Sequence, residues 1–161
     1  MNANETIFAL ALASNLNPEQ HFQVAYQTIL SWGEVQFSHI YQIPCRDGVG
    51  ADYWNSACLL KSSKTKSQLE IALKQLETAS GRIRPSHQIS LDVDLIAWGN
   101  SLEKMQFNPK KMPLAVDVKI PLSELWNHST LHVAGSHFPK VDVHSDVQSN
   151  AHIQTNIQVV E

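Results

Sequence analysis

Asp92 and Asp94 stand one residue apart in the run Leu91-Asp92-Val93-Asp94-Leu95. On a β-strand, residues i and i+2 share a face. Leu91, Val93 and Leu95 would then enter a core while both carboxylates emerge together. Neighbouring carboxylates repel each other, and a divalent cation between them removes that cost. Mg²⁺ in particular binds through one or two carboxylates plus the oxygens of substrate phosphates. The pair is therefore a candidate for metal-assisted chemistry on a phosphate. The plain alternative is a polar sheet face with two solvated aspartates, since a bare Asp-x-Asp specifies little. Just upstream, Arg82 and Arg84 follow Ser80-Gly81. A guanidinium matches phosphate oxygens in a bidentate fork. It is equally at home after a helix C-terminus, where cations are favoured. Glu77, in the segment before them, reads as a solvated helix residue. Asn55 reads either as a carboxamide offering a donor and an acceptor to a ligand or as an edge-strand turn residue.

The elements that must position these groups follow from hydrophobic spacing. Residues 6–13 are a continuous apolar run, the pattern of a buried central strand. Asn17, Pro18 and Gln20 form a helix start, with Asn17 as the cap and Gln20 completing a capping box. Phe22, Ala25, Tyr26, Ile29 and Leu30 repeat at helical spacing, and Gly33 is placed to stop a helix over about 18–32. Residues 34–43 read as a strand ending at Pro44, and 45–51 as a turn-rich loop. In the next strand, 52–60, Tyr53, Asn55, Ala57 and Leu59 share one face and Trp54, Ser56, Cys58 and Leu60 the other. Thr65 and Gln68 open a second helix at about 66–80, whose stripe is Leu69, Ala72, Leu73 and Leu76 and whose stop is Gly81. A strand at about 89–98 carries the aspartates. The order β-α-β-β-α-β predicts an α+β, ferredoxin-like antiparallel sheet with helices on one face and the other face free for a site. Residues 114–120 alternate as an edge strand would, and 121–126 suit a helical turn. From about 141 the chain reads as an added hairpin or a loose tail. The expected organisation is one domain over 1–161, with a core of about 6–126 and a C-terminal extension over 127–161.

Composition narrows the function classes. At 161 residues, 43% hydrophobic and 17% charged, the chain is neither disordered nor too short for a core. A net charge of −3 offers no general attraction to nucleic acid or to an anionic membrane. An RNA-binding ferredoxin-like module would also want an aromatic-rich central strand, which is missing. No apolar run approaches the ~20 residues that span a bilayer, and the opening residues lack a basic segment before the apolar run. The expected location is the cytoplasm, with Cys45 and Cys58 as free thiols. Among the eight histidines, His128, His132, His137, His144 and His152 lie four, five, seven and eight residues apart. That is no tight ligand set, so scattered surface histidines are expected rather than a structural metal.

Four stretches, in order and in register, resemble one family. Ala13-Ser14-Asn15-Leu16 is similar to a Gly-Ser-Asn-Leu motif. Tyr41-Gln42-Ile43-Pro44 is similar to a Tyr-x-Thr-x-Pro region. Asp52-Tyr53-Trp54-Asn55-Ser56-Ala57 matches Asp-Tyr-hydrophobic-Asn-x-Ala. Leu76 to Arg84 followed by Leu91 to Leu95 matches an acidic residue before Gly-Arg, then Leu-Asp-hydrophobic-Asp. Together they resemble the 6-hydroxymethyl-7,8-dihydropterin pyrophosphokinases of folate biosynthesis over about residues 6–100. The resemblance implies a ferredoxin-like fold and transfer of pyrophosphate from ATP to the pterin hydroxymethyl group, giving AMP. It implies two Mg²⁺ ions held by Asp92 and Asp94, with Arg82 also in the catalytic set. Glu77, Arg82 and Arg84 would lie on the ATP side, and Pro44, Tyr53 and Asn55 on the pterin side. The expected partners are the pterin and ATP only, with no nucleic acid and no membrane, and the expected state is a monomer.

The chain also departs from that pattern. The loop before the aspartates is only Pro85-Ser86-His87-Gln88, followed by Ile89, where the family has a longer loop with a Trp and an Arg. Residues 112–122 keep a Pro121-Leu122 match but lack the family's His, Arg and ring-stacking Phe. Ile43 stands where Thr is common, and Ala13 where Gly is. Each lost charge-assisted phosphate contact is worth about 1.5–3 kcal/mol. His87, when protonated, or Lys110, Lys111 and Lys119 would restore charge, though a lysine is a point charge and not a fork. The alternative to an enzyme is a catalytically impaired relative that binds a pterin-like ligand, a nucleotide or a protein partner.

Overall fold

A computed structural model describes residues 5–141 except 46, 47, 49, 85 and 134–137. His137, His144, His152 and the tail beyond 141 lie outside the described residues. The elements run β1 (Thr6–Ser14), α1 (Pro18–Leu30), β2 (Glu34–Phe37), β3 (Tyr41–Ile43), β4 (Tyr53–Ser62), α2 (Lys66–Ala79), β5 (Asp92–Gly99), β6 (Gln106–Phe107) and α3 (Val116–Leu125). The strands form one antiparallel sheet in the order β2-β4-β1-β5-β6, with β3 also pairing to β4. This is the α+β, ferredoxin-like arrangement.

The continuous apolar run of β1 takes the central place, as a strand buried on both faces must. Phe8, Leu10 and Leu12 point towards α1 and α2, where they meet Phe22, Tyr26, Ile29, Leu69, Leu73 and Leu76. Leu91, Val93 and Leu95 join that core as expected. The expected strand over 34–43 is two pieces. Ser38 interrupts it by donating its N–H to Ala57 O and accepting the Ala57 N–H on its hydroxyl.

The opposite face is not free along its length. It carries the small residues Ala9, Ala11, Ala57 and Ala97, and these make room for a third helix. Helix α3 lies against β4 and β1 and buries Leu122, with Trp126 following it. Residues 114–120 are therefore not an edge strand. Their alternation is real, but the sheet face beneath them is shaped for a helix, and burying Leu122 and Trp126 on it outweighs the backbone bond lost at Pro121.

Two local expectations need correction. Asn17 does not cap α1 through its side chain. It sits at φ 47°, in the left-handed region, where asparagine is one of the few tolerated residues. Gly33 does not end α1, which stops at Leu30 with Ser31 as its cap. Its role is close approach, since a Cβ there would lie 2.1 Å from Lys61 O. The Thr65–Gln68 capping box of α2 forms with both of its hydrogen bonds.

Candidate functional site

Three adjacent strands bring three site positions into one row. In the β4–β1–β5 ladder, Ala13 is registered with Asn55 on one side and Asp92 on the other. Strands lie about 4.8 Å apart, so Asn55 and Asp92 are separated by about 10 Å across the sheet. The small Ala13 side chain between them leaves a cavity of about 230 Å³, walled by Tyr53, Asn55, Ile89 and Asp92 and closed by Cys45 and Asp117. Asn55 is buried, and its Nδ2 has no hydrogen-bond partner in the protein. A buried, unpaired amide costs about 1–3 kcal/mol, which a ligand acceptor would recover.

On the far side of Asp92 the sheet edge is open. β6 covers β5 only at Ala97 and Trp98, so the Val93 N–H has no strand partner. Glu77 supplies one, accepting it on Oε2 at 2.8 Å. Glu77 reaches this position because α2 ends in a Schellman turn. Gly81, at φ 85°, donates to Thr78 O, and Arg82 N–H donates to Glu77 O. The glycine that stops the helix thus also places Glu77 and Arg82 beside the aspartates. Lower on the edge, Asn108 donates its side-chain amide to Leu95 O at 2.9 Å and its N–H to Ile96 O at 2.8 Å. It also caps the short turn Pro109–Lys111 by accepting the Lys110 N–H. That turn carries Lys111, whose Nζ lies 2.9 Å from Asp94 Oδ1.

Glu77, Asp92 and Asp94 each offer an oxygen within 4.8 Å of the others, the one such cluster of three potential metal ligands among the described residues. Burial raises the Asp92 pKa above its ordinary value, and the hydrogen bond and charge of Glu77 raise it further, while Arg82 and Lys111 pull it down. Burial works against the Lys111 charge, yet the bond and charge of Asp94, with the charges of Asp92 and Glu77, hold its pKa above the usual lysine range. Three crowded oxygen donors, one of them resisting ionisation, suit a hard divalent cation such as Mg²⁺.

A groove of about 650 Å³ runs along this edge. The acids Glu70, Glu77, Asp92 and Asp94 share it with four cations, Lys74, Arg84, Lys110 and Lys111. Arg84 Nη2 donates to Glu77 Oε1 at 3.2 Å. Arg82 donates from Nη1 to Ile83 O, while its buried Nε has no partner. Asn15, from the Ser-Asn motif, ties the short loop to β1. It donates its side-chain amide to His87 O at 2.8 Å and its N–H to Ile89 O at 2.9 Å. Asp92 lines both the cavity and the groove.

The structure thus brings Glu77, Arg84, Asp92 and Asp94 to the groove, with Arg82 acting on Asp92, and Tyr53 and Asn55 to the cavity. Pro44 is exposed and is not part of the cavity wall, whereas its neighbour Cys45 is. Lys110 and Lys111 line the groove, and Lys119 does not. Asp117 was hidden because its segment reads as an edge strand. Lys74 was hidden because a lysine on a polar helix face looks like any other. His128 packs on Phe107 and Trp126 and accepts the Thr130 N–H on Nδ1, a structural role.

A family model described as 7,8-dihydro-6-hydroxymethylpterin-pyrophosphokinase matches residues 9–134. No curated protein matches the chain.

Proposed function

The chain belongs to the 7,8-dihydro-6-hydroxymethylpterin-pyrophosphokinase family, and on that premise we propose that it transfers pyrophosphate from ATP to 6-hydroxymethyl-7,8-dihydropterin. The hydroxymethyl oxygen attacks the β-phosphorus of ATP. The bond from that phosphorus to the oxygen bridging it to the α-phosphate breaks, AMP leaves, and the hydroxyl proton passes to solvent. The observation that carries this reading is the place of Asp92, between a small cavity with an unpaired Asn55 amide and a larger groove in which four acids and four cations face each other. A ring in the cavity and a triphosphate in the groove would meet at that residue.

In this reading Asn55 and Tyr53 hold the pterin, and Ile89 keeps water from the ring. Asp92 and Asp94 would hold two Mg²⁺ ions, with Glu77 beside them. Bound Mg²⁺ supplies neutralisation of phosphate charge and alignment of the attacking oxygen. Arg82 and Arg84 contact phosphate oxygens, Arg84 by leaving Glu77. Lys74, Lys110 and Lys111 supply the positive charge that the family's missing His and Arg would give, as point charges rather than forks. The whole acts as one domain, with its core over 6–126, as a cytoplasmic monomer. Sedimentation of the purified chain as a dimer would overturn the last point.

The test is AMP release from Mg-ATP with and without 6-hydroxymethyl-7,8-dihydropterin. Pterin-dependent AMP that disappears in Asp92→Ala with Asp94→Ala supports the reading. The Lys111–Asp94 pair favours a second reading, an impaired relative whose site keeps its own cation in place. Pterin binding that needs no Mg²⁺ and yields no AMP would select it.

A further inference from the structure

The cavity beside Asn55 contains a carboxylate that the reaction above does not use. Asp117 lies in the first turn of α3, and α3 rests on the β4–β1 face that carries Asn55 and Ala13. Asp117 therefore closes the cavity from the helix side while Tyr53 and Asn55 form its sheet side. An acidic residue at a helix N-terminus is favoured by the backbone dipole alone, and that would be a complete account if Asp117 faced solvent. It is half-buried, and it lines the same small volume as an amide donor that lacks an acceptor.

The two walls are complementary in kind. Asn55 Nδ2 offers a hydrogen and needs an acceptor. A carboxylate has about four acceptor directions, so Asp117 can serve a ligand beside its contacts within the protein. A flat ring that carries a keto or ring-nitrogen acceptor next to an N–H and an amino group satisfies both walls. The N–C–NH₂ edge of such a ring meets a carboxylate with two parallel hydrogen bonds. We propose that Asp117 is a specificity-determining residue that accepts hydrogen bonds from the cyclic guanidine edge of the bound heterocycle, while Asn55 donates to its ring acceptor. This rests on the pterin reading and extends it by naming the residue that selects the 2-amino group. A ring with an oxygen at that position presents an acceptor to a carboxylate, and the two repel.

The experiment measures binding of 6-hydroxymethylpterin and of its 2-oxo counterpart by calorimetry, to the full chain and to Asp117→Leu and Asp117→Asn. It is run with and without Mg²⁺ and a non-hydrolysable ATP analogue. The natural chain should prefer the 2-amino ring by at least tenfold. Asp117→Leu, close in size, should erase that preference by weakening the amino ring and leaving the oxo ring unchanged or tighter. Asp117→Asn should shrink the preference, and it stands in if the leucine variant fails to fold. A variant that binds less tightly to both rings equally, or keeps the preference, overturns the role of Asp117 while the pterin reading survives. A natural chain that binds neither ring overturns both.

Discussion

Replacing Lys111 by methionine separates the two roles that the proposed site gives the same ammonium. Its Nζ is 2.9 Å from Asp94 Oδ1, and the two side chains are 37% and 29% exposed. A pair that wet contributes about 0.2–1 kcal/mol, far below what the short distance alone suggests. Any Mg²⁺ that takes Asp94 must displace the lysine and forgo that amount. Lys111→Met, which keeps the length of the chain and removes its charge, should therefore tighten Mg²⁺ binding in the absence of nucleotide by up to about fivefold. With ATP in the proposed site the same lysine would face phosphate oxygens, and losing a charge-assisted bond worth about 1.5–3 kcal/mol should lower kcat/KM for ATP by about 10- to 150-fold. Calorimetric Mg²⁺ titration without nucleotide and steady-state AMP release measure the two effects. They must move in opposite directions. Weaker Mg²⁺ binding in the variant would refute the displacement argument, and unchanged kcat/KM would refute the phosphate contact.

Asp92→Asn should raise the Tm of the metal-free protein at neutral pH and abolish any Mg²⁺-dependent rise. The folded state holds the Asp92 proton above the ordinary value of 3.8, so the stability linked to that proton is complete below about 3.8 and fades as pH rises through the raised value. Scanning Tm against pH in EDTA should show this fall in the natural chain and a flatter curve in the asparagine variant. Asn55→Leu should leave Tm unchanged or higher, because it removes an unpaired buried amide, while weakening pterin binding by about tenfold or more in calorimetry. Gly33→Ala should cost roughly 1–3 kcal/mol in urea unfolding, because its methyl would collide with Lys61 O. An unchanged midpoint there would mean that the β4 backbone yields.

The strand and helix order was legible because periodicity of two and of 3.6 alternates cleanly as far as Gly99, and the β1 run, the α2 stripe and the Asp92–Asp94 alternation all fall where they were read. Asp92, Asp94, Tyr53 and Asn55 were readable as groups because strand alternation fixes faces. What periodicity cannot give is how far one face is roofed. Residues 114–120 alternate like a strand, and only the small residues Ala9, Ala11 and Ala57 on a distant part of the sheet make a helix fit there. Asp117 lies in that segment, so its place at the cavity follows only from the helix. The motif puts Pro44 near the pterin side, but a turn fixes neighbours and not pocket walls, and it is Cys45 that lines the cavity. Lys111 was readable only as charge, since its contact with Asp94 depends on Asn108 pinning the turn to the β5 edge.

The side chains of Glu77 and Asn108 occupy the unpaired amide and carbonyl groups of β5 at Val93 and Leu95. An open strand edge of this kind is a template on which a second chain can add. The carboxylate of the proposed metal cluster is thus also a guard against self-association, and the guard is weakest when Glu77 is drawn away from the Val93 amide. A change such as Glu77→Ala would expose that amide with both faces of the strand still apolar at Val93, Leu95 and Ile96. Selection on this position would then act through solubility as well as turnover, and loss of the chemistry would not by itself release Glu77 to vary.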